Sequence, residues 1–157
     1  MKMFLEEVLG GIEDWEQFEQ AIIRLLAAMI LGSIIGVQRE RIGKPAGLRT
    51  HILVAMGSAL FVLGSTADEM TMDGLSRVIQ GIATGIGFIG AGAILKLLDQ
   101  REIEGLTTAA GIWMTAAVGV AAGMGRIGIA FLSVILGWIV LSVLGRIEGA
   151  VDRRKVE

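Results

Sequence analysis

The sequence predicts an all-α fold: a polytopic transmembrane helical bundle of five spans, preceded by a short amphipathic interfacial helix. Three observations predict it. The 157-residue chain is 54% apolar and only 19% charged, with a mean hydropathy of +0.70; a soluble domain carries about 25% charged residues. The charges are also gathered into short patches between long uncharged runs, the pattern of a helical protein that crosses a bilayer repeatedly. The third observation is the uncharged run from Gly81 to Leu95, which carries Gly81, Gly85, Gly87, Gly90 and Gly92. In water each interior glycine costs a helix about 1 kcal/mol relative to alanine. In a bilayer the backbone must satisfy its own hydrogen bonds, so helix is enforced and glycine allows a second helix to approach closely.

Taken in order, residues 1–20 form an N-terminal amphipathic segment. Leu5, Val8, Ile12 and Trp15 recur at helical spacing with acidic residues between them, which describes a helix on the outer interface anchored by Trp15. Residues 21–145 form the five-span domain, with spans at Ala21–Val37, His51–Ser65, Val78–Leu95, Leu106–Gly125 and Ile127–Gly145. A perpendicular span needs about 20 apolar residues, about 17 at the least, so the second is short unless Leu48 or Ala67 extends it. Residues 146–157 form a short tail. The pairs Gly32/Gly36, Gly81/Gly85 and Gly119/Gly123 repeat the small-xxx-small spacing and predict close packing of spans one, three and four, with span three covered by protein on all sides. Trp113 and Trp138 lie within spans and are expected at helix interfaces. The turn at Gly125-Arg126 is tight enough to force an antiparallel pair.

Orientation follows from the basic residues. Of the 14 in the chain, ten lie in the loops after spans one and three or in the tail: Arg39, Arg41, Lys44, Arg49, Lys96, Arg101, Arg146, Arg153, Arg154 and Lys155. The positive-inside rule places that side in the cytoplasm, giving an external N-terminus and an internal C-terminus. The first twenty residues are acidic and lack the basic start of a cleavable signal, so the first span is expected to direct insertion.

Several chemistries find no support. The chain has no cysteine, which excludes thiolate and disulfide chemistry. Its net charge of −2 and the lack of a basic stripe with interleaved aromatics argue against nucleic acid. The single histidine, His51, has no partner at metal-ligand spacing, and no serine elbow marks a hydrolase. No cofactor, metal or enzymatic activity is expected. Spans two to five carry no Asp, Glu, Lys or Arg in their cores, although such groups mark proton relays and coupled transport. Arg24 reads as an arginine snorkelling to the outer edge.

Two polar clusters remain as candidate sites. The first, from Gln38, Arg39, Glu40 and Arg41 through Lys44, Pro45, Gly47, Arg49, Thr50 and His51, makes a cytoplasmic turn. Glu40 there is placed to pair with Arg39, Arg41 or Arg49. Both a topology anchor and a receptor for phosphate or an acidic partner fit it. The second opens span four with Thr107, Thr108 and Trp113; the threonines read as N-terminal caps with exposed amides suited to an anion.

At these residues the chain resembles a known family. The strings Gly36-x-x-Arg39-Glu40, Ala46-Gly47-Leu48-Arg49-Thr50-His51, Gly85-Ile-Gly87-Phe-Ile-Gly90-Ala-Gly92-Ala-Ile and Gly105-Leu-Thr-Thr-Ala-Ala-Gly-Ile-Trp113 together are similar to the MgtC/SapB family, over about residues 20 to 145. The resemblance implies a bacterial or archaeal inner-membrane protein with five spans, linked to magnesium homeostasis and growth in low magnesium. Members are labelled as magnesium transporters, while regulation of other membrane proteins, including ATP synthase, fits the best-known ones. Many relatives carry a cytoplasmic C-terminal domain, whereas 12 residues follow Gly145 here. Gln80 stands one position from the place expected of the family's glutamine.

Two functions follow as expectations. One is a module, homo-oligomeric and in the first instance dimeric, that lies in membrane lipid and regulates another membrane protein such as an ATP synthase or a cation transporter. The other is an oligomeric ion channel or transporter whose pathway runs along the glycines of span three, with backbone carbonyls in place of charged ligands. Magnesium makes the second harder, because it dehydrates reluctantly and favours carboxylate or retained water.

Overall fold

A computed structural model of the chain describes residues 15–65, 71–97 and 102–144. They form five helices and one small hairpin: α1 (Trp15–Arg41), α2 (Leu48–Ser65), α3 (Met72–Gly92), β1 (Leu95–Leu97), β2 (Glu102–Glu104), α4 (Leu106–Gly123) and α5 (Ile127–Ile139), the last continuing as a π turn over Val140–Leu144. The helical bundle is therefore as the sequence predicts. Among the described residues, α1, α2 and α4 are each long and apolar enough to cross a membrane, and Ile127–Val143 is apolar but shorter. Helix α3 has 21 residues, with Arg77 and Gln80 in its first half.

The boundaries differ from expectation for identifiable reasons. No break falls between residues 20 and 21: Trp15–Gln20 belong to the 27-residue α1. Residues 1–14, which carry the rest of the amphipathic pattern, lie outside the described residues, as does the tail from 145 on. Helix α1 ends in a Schellman motif, with Gly43 at φ 68, its amide on the Glu40 carbonyl and the Lys44 amide on that of Arg39, each at 3.0 Å. Helix α2 starts at Leu48 rather than His51, which removes the shortness of the second span. The Glu40 carboxylate makes this possible by accepting the Leu48 amide at 2.7 Å. Helix α3 opens on Thr71, whose side chain accepts the Gly74 amide at 3.3 Å, and stops at Gly92 rather than Leu95. Beyond it Leu95–Leu97 pair antiparallel with Glu102–Glu104, Lys96 opposite Ile103. Gly105, at φ 93, lies so close to the Ala93 carbonyl that a side chain has no room there. That contact pins the two ends of the hairpin and diverts the chain from helix.

The core is built around α2. An added Cβ on Gly32 would meet the His51 carbonyl at 2.8 Å and Ala55 Cβ at 2.9 Å, and one on Gly36 would meet Leu48 Cα at 2.7 Å. On the other side Gly119 lies against the backbone of Ala55, and Gly123 lies 2.8 Å by the same measure from the Ala59 carbonyl. His51 pairs with Thr115 across 64 residues, and Ala55/Gly119 and Ala59/Gly123 keep the same offset. Helices α2 and α4 therefore run parallel in constant register, while α1 runs antiparallel to α2. Glycine notches on α1 and α4 clamp the alanines of α2, and Ala28, Ala55, Ala59 and Ala122 form the buried seam. Helix α5 packs through Ala130 and Val134 onto Leu31, Ile35 and Val118, with Gly137 against the Met114 thioether. The three-residue link Met124–Arg126 is a second Schellman turn, with Gly125 at φ 75, and the antiparallel α4–α5 pair follows as predicted.

Three packing expectations are corrected. Among the described residues the glycine face of α3 is not a tight crossing: an added Cβ would meet nothing within 4 Å at Gly81, Gly85, Gly87 or Gly92, whereas one at Gly90 would meet Ala109. Helix α3 packs instead through Ile82, Ile86 and Gly90, leaving the other glycines outward. Trp113 and Trp138 are 55% and 48% exposed rather than buried at interfaces. They belong to a broad apolar exterior that includes Leu53, Phe61, Phe88 and Phe131, far more than a soluble monomer leaves uncovered. This is the exterior of a membrane protein.

Candidate functional site: a buried polar junction of α1, α2 and α4

The basic loop predicted as one functional unit is divided by the fold. Arg39 and His51 turn inward and are 2% and 0% exposed. Arg49 and Lys44 remain exposed, and Thr50 is half-buried. Glu40 is exposed and, among the described residues, forms no ion pair with Arg39, Arg41 or Arg49; it caps α2, and Gly47 is the residue that leaves room for its carboxylate, an added Cβ lying 2.9 Å from Oε2. The pairing expected of Glu40 is thus replaced by a cap, since a bare helix N-terminus with free amides attracts a carboxylate more strongly than exposed, solvated cations do.

Span four supplies the other half of the junction. Thr107 and Thr108 are not the caps they were expected to be. The N-cap is Gly105, which has no side chain to donate, and no side-chain bond closes that end of α4. Thr107 is exposed, whereas Thr108 is buried at 2% and accepts a hydrogen bond from Arg39 Nη2 at 2.7 Å. Two turns further on, Thr115 donates to the Gly111 carbonyl at 2.8 Å and meets His51 Nδ1 at 2.7 Å. Thr115 thus stands between the Gly111 carbonyl of its own helix and the imidazole of α2, and ties the two helices together. Gly111 lets the imidazole lie against α4, an added Cβ standing 3.8 Å from His51 Cε1.

These side chains come from three helices that meet where glycine notches on α1 and α4 receive α2. Arg39 is one turn beyond Gly36, and His51 lies between the Gly32 and Gly36 notches of α1. Thr108, Gly111, Thr115, Gly119 and Gly123 share one face of α4. The close approach that glycine permits is what brings hydroxyl, imidazole and guanidinium within hydrogen-bonding reach. The sequence pattern missed this combination, although the spacing of Thr108 and Thr115 on that face was a readable signal. It missed Ser142 as well, which accepts from Gln38 Nε2 in the π turn at the end of α5. Among the described residues, the buried side-chain polar atoms left without a partner are Gln38 Oε1, Arg39 Nε and His51 Nε2. All belong to this end of the bundle. Among the described residues, no group of three metal-binding side chains comes together.

At the opposite end Arg24 does more than snorkel. Its Nη1 donates to the Gly123 carbonyl at 3.1 Å and its Nη2 to Gln20 at 3.1 Å, so it closes the C-terminus of α4 where a cation is favoured.

Protein SrpB of Synechococcus elongatus is 43% identical over 136 residues, covering 80% of this chain and 75% of that protein. YhiD of Escherichia coli K12, whose name assigns it provisionally to magnesium transport, is 46% identical over 129 residues, covering 78% of this chain and 59% of its own. Protein MgtC of Salmonella typhimurium is 44% identical over 105 residues, covering 67% of this chain. This chain thus spans well under two thirds of the YhiD and MgtC lengths, 59% and 44%. No solved structure matches the chain. The profile of the MgtC family matches residues 25–150, which takes in the whole of the clamp and both halves of the junction, and the chain belongs to the MgtC family.

Proposed function

We propose that the protein is a non-enzymatic inner-membrane protein that serves magnesium homeostasis or adaptation to low magnesium by binding and regulating another membrane protein. An ATP synthase or a cation transporter is the partner class, and the protein acts as a homo-oligomer, a dimer in the first instance. Its N-terminus is external and its C-terminus cytoplasmic, with five crossings. The observation that carries the reading is the open face of α3: among the described residues, nothing lies within 4 Å of a Cβ added at Gly81, Gly85, Gly87 or Gly92, and Phe88 beside them is 85% exposed. Small residues beside a projecting aromatic suit a helix of another chain, which needs close backbone approach in lipid. The magnesium link is supported by family membership and by the name of the Escherichia coli relative.

The same face favours a second reading. Uncovered glycines expose carbonyls, and an oligomer that brought several α3 helices together would line a path for an ion without charged side chains. Purified protein in liposomes containing a magnesium-sensitive dye separates the two. Rescue of low-magnesium growth without flux above empty liposomes is the expected result. Saturable flux through the parent, abolished by Gly85→Leu, would replace regulation with transport.

A further inference from the structure

We propose that the junction of α1, α2 and α4 is an oxyanion site that takes a phosphate group on the Arg39 guanidinium, the Thr108 hydroxyl and the free amides that open α4. The starting observation is a buried cation that has no counter-charge among the described residues. Arg39 is 2% exposed, its one hydrogen bond goes to a neutral hydroxyl, and its Nε has no partner. Burying a guanidinium on those terms is unfavourable unless something anionic completes it.

The surroundings make the imbalance larger. Thr108 lies in the first turn of the 18-residue α4, whose N-cap is a glycine and whose end carries no side-chain hydrogen bond. That end bears the positive pole of the helix, equivalent to about half an elementary charge. A guanidinium bonded into it therefore faces like charge. The neighbouring carboxylate, on Glu40, is engaged with the Leu48 amide at the start of α2 and does not neutralise Arg39. One helix away His51 is fully buried with Nε2 unpartnered. A planar guanidinium with an unused Nε–H, a hydroxyl and helix-terminal amides is the donor set that recognises a tetrahedral oxyanion. Two sources present such a group at the cytoplasmic face, the headgroup of an anionic phospholipid and a soluble phosphate. The site does not depend on the regulatory reading, and its test does not involve growth.

The test uses the full chain in maltoside micelles, which contain no phosphate. One arm adds inorganic phosphate and the other adds phosphatidylglycerol, and each records the thermal unfolding midpoint as ligand is titrated at constant ionic strength. A saturable rise in either arm is expected, and the arm in which it occurs identifies the source. Arg39→Lys, which keeps the charge and loses the fork, and Thr108→Val should each weaken the apparent affinity at least about tenfold. No saturable rise in either arm, or a rise that both folded variants leave unchanged, overturns the site. Where a variant does not fold, competition on the parent decides. Sulfate must displace the ligand and chloride at equal ionic strength must not; the reverse overturns the proposal.

Discussion

Arg39 and Arg49 belong to one basic stretch, and the positive-inside rule treats them alike, yet their environments differ in kind. Arg49 is exposed, and in the orientation we propose its charge is a topology signal that costs little to hold. Arg39 is enclosed and relies on the Thr108 hydroxyl. Neutral interhelical hydrogen bonds in lipid average about 0.6 kcal/mol, whereas bonds to a charged group reach about 1.5–3 kcal/mol. The two buried threonines should therefore separate. Thr108→Val is expected to destabilise the protein by about 2 kcal/mol, and Thr115→Val, which loses the interhelical bond to the His51 imidazole, by about 0.6–1 kcal/mol. Thr107→Val, on an exposed side chain, should stay within about 0.5 kcal/mol. Reversible unfolding in mixed micelles reads all three, and an equal effect at Thr107 and Thr108 would contradict the junction. Glu40 presents a different case: as a cap on α2, its replacement by Ala should destabilise by about 1 kcal/mol, while Glu40→Gln retains an acceptor oxygen and should recover part of that loss.

The helices are related through backbone contacts more than through side chains, and glycines of the same spacing play opposite parts. Gly119 faces the Ala55 backbone with no room for a Cβ, so Gly119→Ala must push α2 from α4 and should destabilise by several kcal/mol, as overpacking and lost contacts combine. Gly81 has open space around it, and Gly81→Ala should be neutral or gain up to about 1 kcal/mol from helix propensity. Thermal unfolding in mild detergent distinguishes the pair, and destabilisation by Gly81→Ala matching that of Gly119→Ala would mean that α3 is covered within one chain. This contrast explains how far the sequence could be read. Hydropathy and charge segregation gave the bundle, the helix order and the tight α4–α5 turn, because these depend on lengths and on local turn chemistry. Small-xxx-small spacing marked Gly32/Gly36 and Gly119/Gly123 correctly as close-packing sites but could not name their partner. That partner is α2, which has no such glycine pair and contributes alanines instead. The same spacing misassigned Gly81/Gly85, because glycine spacing is identical whether a helix meets its own chain, another chain or lipid. The hairpin β1–β2 was illegible for a related reason. Its course is set by the contact of Gly105 with Ala93, which pairs residues distant in sequence. Of the site, Arg39, His51 and Thr108 were picked out as polar residues. Their separation from Glu40, Lys44 and Arg49 depended on which way each side chain turned.

At the scale of the whole molecule, the clamp of α1, α2 and α4 is the fixed part, and α3 and α5 lie on its outside. The buried Arg39 end and the Arg24 end mark the two ends of α4, and the orientation we propose puts the first at the cytoplasmic face. A reporter fused after Glu157 should be active only in its cytoplasmic form, and periplasmic activity would reverse the orientation. The open face of α3 can meet a partner only while the clamp holds the bundle, so the central claim is that function depends on the buried junction and not on the exposed loop charges beside it. Growth in low magnesium tests it most directly, using a host without its own copy and variants matched for membrane abundance. Arg39→Lys keeps the topology-determining charge and removes the planar fork, so it is expected to fail to support growth while Lys44→Gln and Arg49→Lys support it as the parent does. Parental growth with Arg39→Lys, or failure of the Lys44 and Arg49 variants alone, would contradict the account.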